Sequence, residues 1–185
     1  MRTLIVTEFI SLDGVIDSPG GGSHPRAGWT FKDVPFVEEA YEIKGREQVE
    51  AGAMLMGRVS YDEFAPVWPT MVDDFAEYNA MPKYVVSSTL SDPEWNNTQV
   101  LRSLDDVAEL KQGDGAPIIV HGSATLAKGL ADADLVDRYH LLVFPLLLGD
   151  GKRLFGGGDP YTRLDLVEHE AYSNGIVKQV FDVVR

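Results

Sequence analysis

Short runs of apolar and β-branched residues alternate along the chain with segments whose apolar positions recur at helical spacing. Thr3 to Ile10 is the first such run, and it stops at Ser11-Leu12-Asp13-Gly14, a turn signal. A polar, glycine-rich stretch follows, Ser18-Pro19-Gly20-Gly21-Gly22-Ser23, too short for a linker and suited to a lid over a site. Pro35 is placed to open a helix that carries Phe36, Val37, Ala40 and Ile43 on one stripe. Ala53 to Met56, Lys83 to Ser87, Thr98 to Leu101 and Pro117 to Val120 read as short buried strands. Ser103 reads as an N-cap, with Asp105 and Asp106 in the first turn and Val107 and Leu110 facing inward. Gly122-Ser123 leads into a helix bearing Leu126 and Leu130. Val136 to Phe144 is nearly all apolar, as a central strand should be. Leu164 to Tyr172 and Ile176 to Val184 flank Asn174-Gly175, a hairpin signal. Strand and helix in alternation imply parallel pairing through crossovers, here closed by antiparallel strands.

Composition narrows the function classes. A chain of 185 residues with 44% hydrophobic content suits one domain with one core. Sixteen Lys and Arg stand against 29 Asp and Glu, a net charge of −13, which repels nucleic acid and anionic membranes. The absence of cysteine excludes disulfides, thiolate nucleophiles and Cys-type zinc sites, and the four histidines lack metal-ligand spacing, so no metal is expected. Leu141 to Leu148, the longest apolar run, falls far short of a membrane span. Glu8 interrupts the first apolar stretch and no small-residue cleavage site follows, so a cytoplasmic location is expected, with the Asn96-Asn97-Thr98 sequon irrelevant.

Three segments share one physical design: a short strand delivers a small or hydroxyl residue to the point where a helix begins. They are Met56-Gly57-Arg58-Val59-Ser60-Tyr61, Val86-Ser87-Ser88-Thr89 and Val120-His121-Gly122-Ser123-Ala124. Helix starts of this kind offer free N–H groups and a positive dipole end to an anion. One alone is the ordinary cap of an α/β protein, but three, one with an arginine, point to a phosphate-rich ligand across the strand ends. Gly149-Asp150-Gly151-Lys152-Arg153 imitates a Walker A tail but has Leu146 and Arg153 where glycine and Ser/Thr belong. The glycines at 20–22 and 156–158 do not follow a Rossmann spacing. Asp13 either caps its own turn or faces the cleft as a proton donor, and the residues alone leave both open. No Gly-x-Ser-x-Gly elbow supports a nucleophilic serine. His140 reads as a satisfied core residue. Trp29, Phe31, Tyr41 and Trp68 either wall an aromatic-ligand pocket or fill the core.

Ser11-Leu12-Asp13-Gly14-Val15, the block from Leu55 to Phe64, the block from Lys83 to Leu90, the block from Ile118 to Leu126 and that from Pro145 to Gly151 occur in an order that resembles a known family. It is that of stand-alone relatives of the riboflavin-biosynthesis reductase domain, the C-terminal part of the bacterial bifunctional deaminase-reductase. The resemblance implies an α/β, three-layer dihydrofolate-reductase-like fold: a mixed, mostly parallel sheet with a C-terminal antiparallel hairpin, in a single domain over residues 1–185. It implies NADPH as cofactor, held by Gly57, Arg58, Ser60, Tyr61, Ser87, Ser88, His121, Gly122, Ser123 and Ala124, with Asp13 as the catalytic residue near nicotinamide and substrate. A homodimer and a small-molecule substrate are implied too. The departures bear on the substrate. Ser123 replaces the second glycine of a pair, the deaminase zinc motifs are absent, and the segment from Tyr61 to Lys83 lacks the arginine that grips a ribose phosphate. No acidic residue matches the pterin-binding carboxylate, although Asp33, Glu38 and Glu39 lie in the region. The reading is a reductase delivering hydride to a C=N or C=O group of a heterocyclic or sugar-derived molecule. The alternative is a module that binds or senses NADP without turnover, and a purely structural assembly domain is a third possibility.

Overall fold

The computed structural model describes every residue except Gly157 and Asp159, so the middle of the 156–158 glycine triplet lies outside the described residues. The strands are β1 (Leu4–Ser11), β2 (Ala53–Gly57), β3 (Lys83–Val86), β4 (Thr98–Leu101), β5 (Ile118–His121), β6 (Arg138–Phe144), β7 (Arg163–Ala171) and β8 (Val177–Val184). They form one sheet in the order β4-β3-β2-β5-β1-β6-β8-β7. From β4 to β6 neighbours are parallel; β8 joins β6 antiparallel, and β7 joins β8 antiparallel. This is the mixed, mostly parallel sheet expected from the alternation of elements. At its antiparallel end, Tyr172 and Ile176 close a loop in which Gly175 takes φ +85°, the left-handed conformation such a turn requires.

The helices are α1 (Trp29–Lys32), α2 (Glu38–Glu50), α3 (Arg58–Phe64), α4 (Ala76–Ala80), α5 (Leu104–Gln112) and α6 (Ala124–Asp132). Alternation along β1 turns Leu4, Val6 and Ile10 toward the α5–α6 face, where they pack with Val107, Leu126 and Leu130. Ile5 faces the other way, into a cluster with Met54, Met56, Tyr78 and Trp95. On that same side α2 packs Ala40 and Ile43 on Leu142, Phe144 and Val180. Three layers result, helix on sheet on helix.

Ser103 caps α5 as expected: its Oγ accepts from the Asp106 N–H at 3.3 Å, and the Asp106 carboxylate accepts from the Ser103 N–H at 3.1 Å. Pro35 is a different matter. The helix starts three residues later at Glu38, from an extended Val37 (φ −135°). The Asn174 side-chain amide donates to the Pro35 carbonyl at 2.9 Å, so the hairpin turn holds this segment extended. A long-range tie has overridden a local signal.

Lys83 is fully buried at the start of β3 and donates to the carbonyls of Tyr78, Asn79 and Met81 at 2.8–3.0 Å, with the Trp95 ring 4.8 Å from its Nζ. It satisfies the open carbonyl end of α4, the helix that supports the aromatic wall described below. Lys83→Met should therefore cost about 1.5–3 kcal/mol of stability, read as a lower urea midpoint with an unchanged slope.

Candidate functional site

The chain places β2, β5 and β1 side by side, so the ends of these parallel strands converge. A cavity of about 1150 Å³ opens there, the position where open α/β sheets bind ligands. Its lining falls into two sets of residues with different chemistry.

The first set comes from the β2–α3 and β5–α6 junctions: Gly57, Arg58, Ser60, Gly122, Ser123 and Ala124. Gly122 and Ser123 are both left-handed, at φ +59° and +67°, and α6 begins without a side-chain cap for its first N–H groups. A Cβ on Gly122 would stand 3.2 Å from Ser60 Oγ, a close approach that suits glycine alone. Ser123 Oγ accepts from the Gly57 N–H at 2.9 Å and donates to Ser60 Oγ at 2.7 Å, tying the two junctions into one rim. Arg58 opens α3; its Nε donates to both Asp62 oxygens at 2.8 Å, and its Nη1 reaches Thr89 Oγ1 at 3.5 Å.

The second set is aromatic and charged. Phe64, Trp68 and Phe75 stack at centroid distances of 4.5 and 4.4 Å, and Tyr78, Phe31, Tyr41 and Phe9 complete the wall. Of the four aromatics left open between pocket wall and core, Phe31, Tyr41 and Trp68 line the cavity, whereas Trp29 is core. Beneath this wall, strand register sets Thr7 between His121 and His140. Thr7 donates to Glu47 Oε1 at 2.7 Å, and His140 Nδ1 lies 2.7 Å from the same oxygen. Lys44 donates to Thr7 Oγ1 and to Glu47 Oε2. Burial pushes the Glu47 carboxyl up, but the Lys44 charge and the His140 hydrogen bond outweigh it and hold the group down to about 2. Burial first, and Lys44 second, bring His121 down to about 3; its Nε2 lies 2.8 Å from the Tyr78 hydroxyl.

A family model described as the RibD C-terminal domain matches residues 2–178. The chain belongs to that family. It is 27% identical to the uncharacterized protein YyaP of Bacillus subtilis strain 168, over 97% of this chain and 94% of that one. Among solved structures, a protein of Shewanella sp. PV-4 provisionally named for riboflavin biosynthesis superposes with a TM-score of 0.75 at 21% identity, covering 100% of both chains. A pyrimidine reductase-like protein of Corynebacterium diphtheriae gives 0.63 at 13% identity, over 100% of this chain and 92% of that one. These two likenesses establish the fold, which is the dihydrofolate-reductase-like arrangement that the motif order implied.

Within this RibD C-terminal fold the expected site residues separate. Gly57, Arg58, Ser60, His121, Gly122, Ser123 and Ala124 line the cavity together; Tyr61, Ser87 and Ser88 do not. The Tyr61 hydroxyl accepts from the N–H groups of Glu94 and Trp95 at 2.9 and 3.3 Å, and Ser87 Oγ accepts from those of Thr89 and Leu90. The Tyr61 hydroxyl thus ties α3 to the 94–95 segment, and Ser87 Oγ shapes the turn after β3, where no helix begins. Ser88 is exposed beside them.

Asp13 requires correction as a proton donor. Its carboxylate accepts from Ser11 Oγ at 2.6 Å and from the N–H groups of Leu148 and Gly149 at 3.1 and 2.8 Å, with Arg153 at 3.5 Å. It is absent from the cavity lining. The Ser11 hydrogen bond, with those from the two backbone N–H groups, holds it down to about 2, the opposite of what a general acid needs. Asp13 clamps the segment 148–153, whose Lys152 does line the cavity.

Sequence reading passed over Glu8, Lys44, Gln48 and Glu47. Glu8 had been noticed only as a break in an apolar run, yet a carboxylate inside a buried parallel strand was the available signal. Glu8 is 3% exposed, lines the cavity, and its Oε1 has no hydrogen-bond partner. Burial raises its pKa well above the usual carboxylate range; Lys44 and the Gly122 backbone offset this only in part.

Two outcomes follow from these shifts. Asp13→Asn should destabilise the fold at neutral pH. The difference should shrink as pH falls below the ordinary 3.8 and vanish near about 2, because the depressed folded-state pKa contributes only while the group is ionised. For Glu8 the sign reverses: its folded-state pKa is raised, so parent stability falls as pH climbs above the ordinary 4.5, and Glu8→Gln should abolish that decline. Urea midpoints across pH check both.

Proposed function

We propose that this protein is an NADPH-dependent reductase acting on a C=N or C=O group of a small heterocyclic or sugar-derived molecule. The observation that carries the reading is the junction of two unlike chambers in one cavity: an uncapped helix start behind a left-handed Gly122-Ser123 turn, and an aromatic wall beside a buried ion network. The first chamber fits a dinucleotide. The tight approach at Gly122 and the open N–H groups of α6 suit a pyrophosphate, and Arg58 beside Thr89 offers a guanidinium to a further phosphate. Bound there, NADPH supplies the hydride.

The protein's own groups then orient and insulate. The Phe64–Trp68–Phe75 stack and Tyr41 give the chamber an apolar wall that keeps water from a planar ring. Lys44, paired with Glu47, is the ammonium donor of this chamber, and it stabilises negative charge that develops on the substrate. Glu47 and Thr7 act as positioning residues for that ammonium. A module that merely binds NADP needs the first chamber only. The second, with its costly buried charges, favours an enzyme over a sensor. The family and the reductase-like name of one structural neighbour agree with this reading. A homodimer belongs to the same proposal.

The parent should bind NADPH more tightly than NADH, and Arg58→Ala should narrow that ratio by roughly tenfold or more, the worth of one charge-assisted hydrogen bond. Titration of both cofactors by fluorescence decides it; superimposable curves in the parent would overturn the cofactor assignment.

A further inference from the structure

Among the described residues, Glu8 is a strongly buried carboxyl of the cavity wall whose Oε1 has no partner. Alternation along β1 points it, with Val6 and Ile10, away from Thr7 and the Lys44–Glu47 network. It follows the Thr7–His121 pair by one residue, so it stands beside Gly122 at the start of α6. An unpartnered polar oxygen in such a place costs stability, and an apolar side chain of like size would avoid that cost. Among the described residues no group pairs Oε1, and Glu8 lines a cavity that a ligand can enter.

We propose that the Glu8 carboxyl is a ligand-reading group, bonding through Oε1 to the amide-type edge of an uncharged planar ring, an N–H donor beside a C=O acceptor. Burial raises its pKa well above the usual carboxylate range, which favours the uncharged form, with one O–H donor and one acceptor oxygen. An amide or lactam presents the matching pair, whereas a phosphate or carboxylate would offer acceptors alone. Two sources carry this edge: the carboxamide of the nicotinamide ring and a lactam in the substrate. The inference rests on reading the cavity as a cofactor-and-substrate pocket, and the probes below separate the two.

Dissociation constants are measured for the parent, Glu8→Met and Glu8→Gln with NADPH, with 2′-phospho-ADP-ribose, which lacks the nicotinamide, and with uracil as a minimal lactam ring beside N,N′-dimethyluracil, whose donors are blocked. Glu8→Met should weaken either NADPH or uracil by about tenfold or more and leave 2′-phospho-ADP-ribose unchanged, while Glu8→Gln keeps most of the affinity. A loss confined to NADPH assigns the cofactor carboxamide. A loss confined to uracil, with dimethyluracil already weak, assigns the substrate. Unchanged affinities in a folded Glu8→Met protein overturn the inference, as does an equal loss for 2′-phospho-ADP-ribose, which would mark a packing defect at Gly122. Failure of the parent to bind NADPH removes the cofactor reading alone if uracil still binds and responds to Glu8. Should Glu8→Met not fold, infrared difference spectra of the parent with and without the probes replace it. A shift of a protonated-carboxyl band that Glu8→Gln lacks supports the proposal, and no shift with any probe overturns it.

Discussion

A carboxylate with almost no access to water, Glu47, sits where α2 meets the sheet, and much of the molecule is arranged to keep it charged. An isolated carboxylate there would be prohibitively costly, so Thr7 from β1, His140 from β6 and Lys44 from its own helix converge on it. The network is therefore a constraint on geometry more than a source of net stability. It fixes the rotation and height of α2 over the sheet, and with them the places of Lys44, Tyr41 and Gln48 in the cavity wall. Removing one partner would leave buried polar atoms of the others unpaired, so the arrangement holds as a unit.

On the opposite side of the cavity a weaker contact has a comparable reach. Ser123, held left-handed, places its hydroxyl between the Gly57 N–H and Ser60 Oγ. A glycine would take that conformation more cheaply but would leave the two strand-to-helix junctions unlinked. The serine thus exchanges backbone ease for a cross-link between the segments that form the anion-facing rim. The two sides meet at β1, where Thr7 serves the ion network, Leu4, Val6 and Ile10 serve the α5–α6 core, and Glu8 lines the cavity.

Asp13 shows how a local motif can leave a side chain's partners unread. The Leu-Asp-Gly turn lies at the end of β1, where motif order placed it, but the carboxylate turns away and collects the backbone N–H groups of 148 and 149. That contact spans 135 residues of sequence and has no local signature. Pro35 was misread for the same reason: its segment is held by Asn174 from the far end of the chain.

Apolar periodicity, cap residues and the order of motifs were enough to give the strands, helices α2, α3, α5 and α6, the mixed sheet and the family, because each depends on neighbours within a few residues or on a hydrophobic face; the short α1 and α4 went unread, and no helix begins at Ser87-Ser88-Thr89, where one was expected. The junction residues Gly57, Arg58, Ser60, Gly122 and Ser123 were legible on the same grounds, since a helix start is a local event. What the tertiary structure alone decided was which polar side chains share a partner. Thr7, Lys44, Glu47 and His140 have no common spacing and converge only because strand order sets β1 beside β6 and α2 above both. Glu8 looked like a flaw in an apolar strand until the sheet closed around it. Burial, which raises the pKa of the Glu8 carboxyl well above the usual range, is a property of the folded whole and not of any segment.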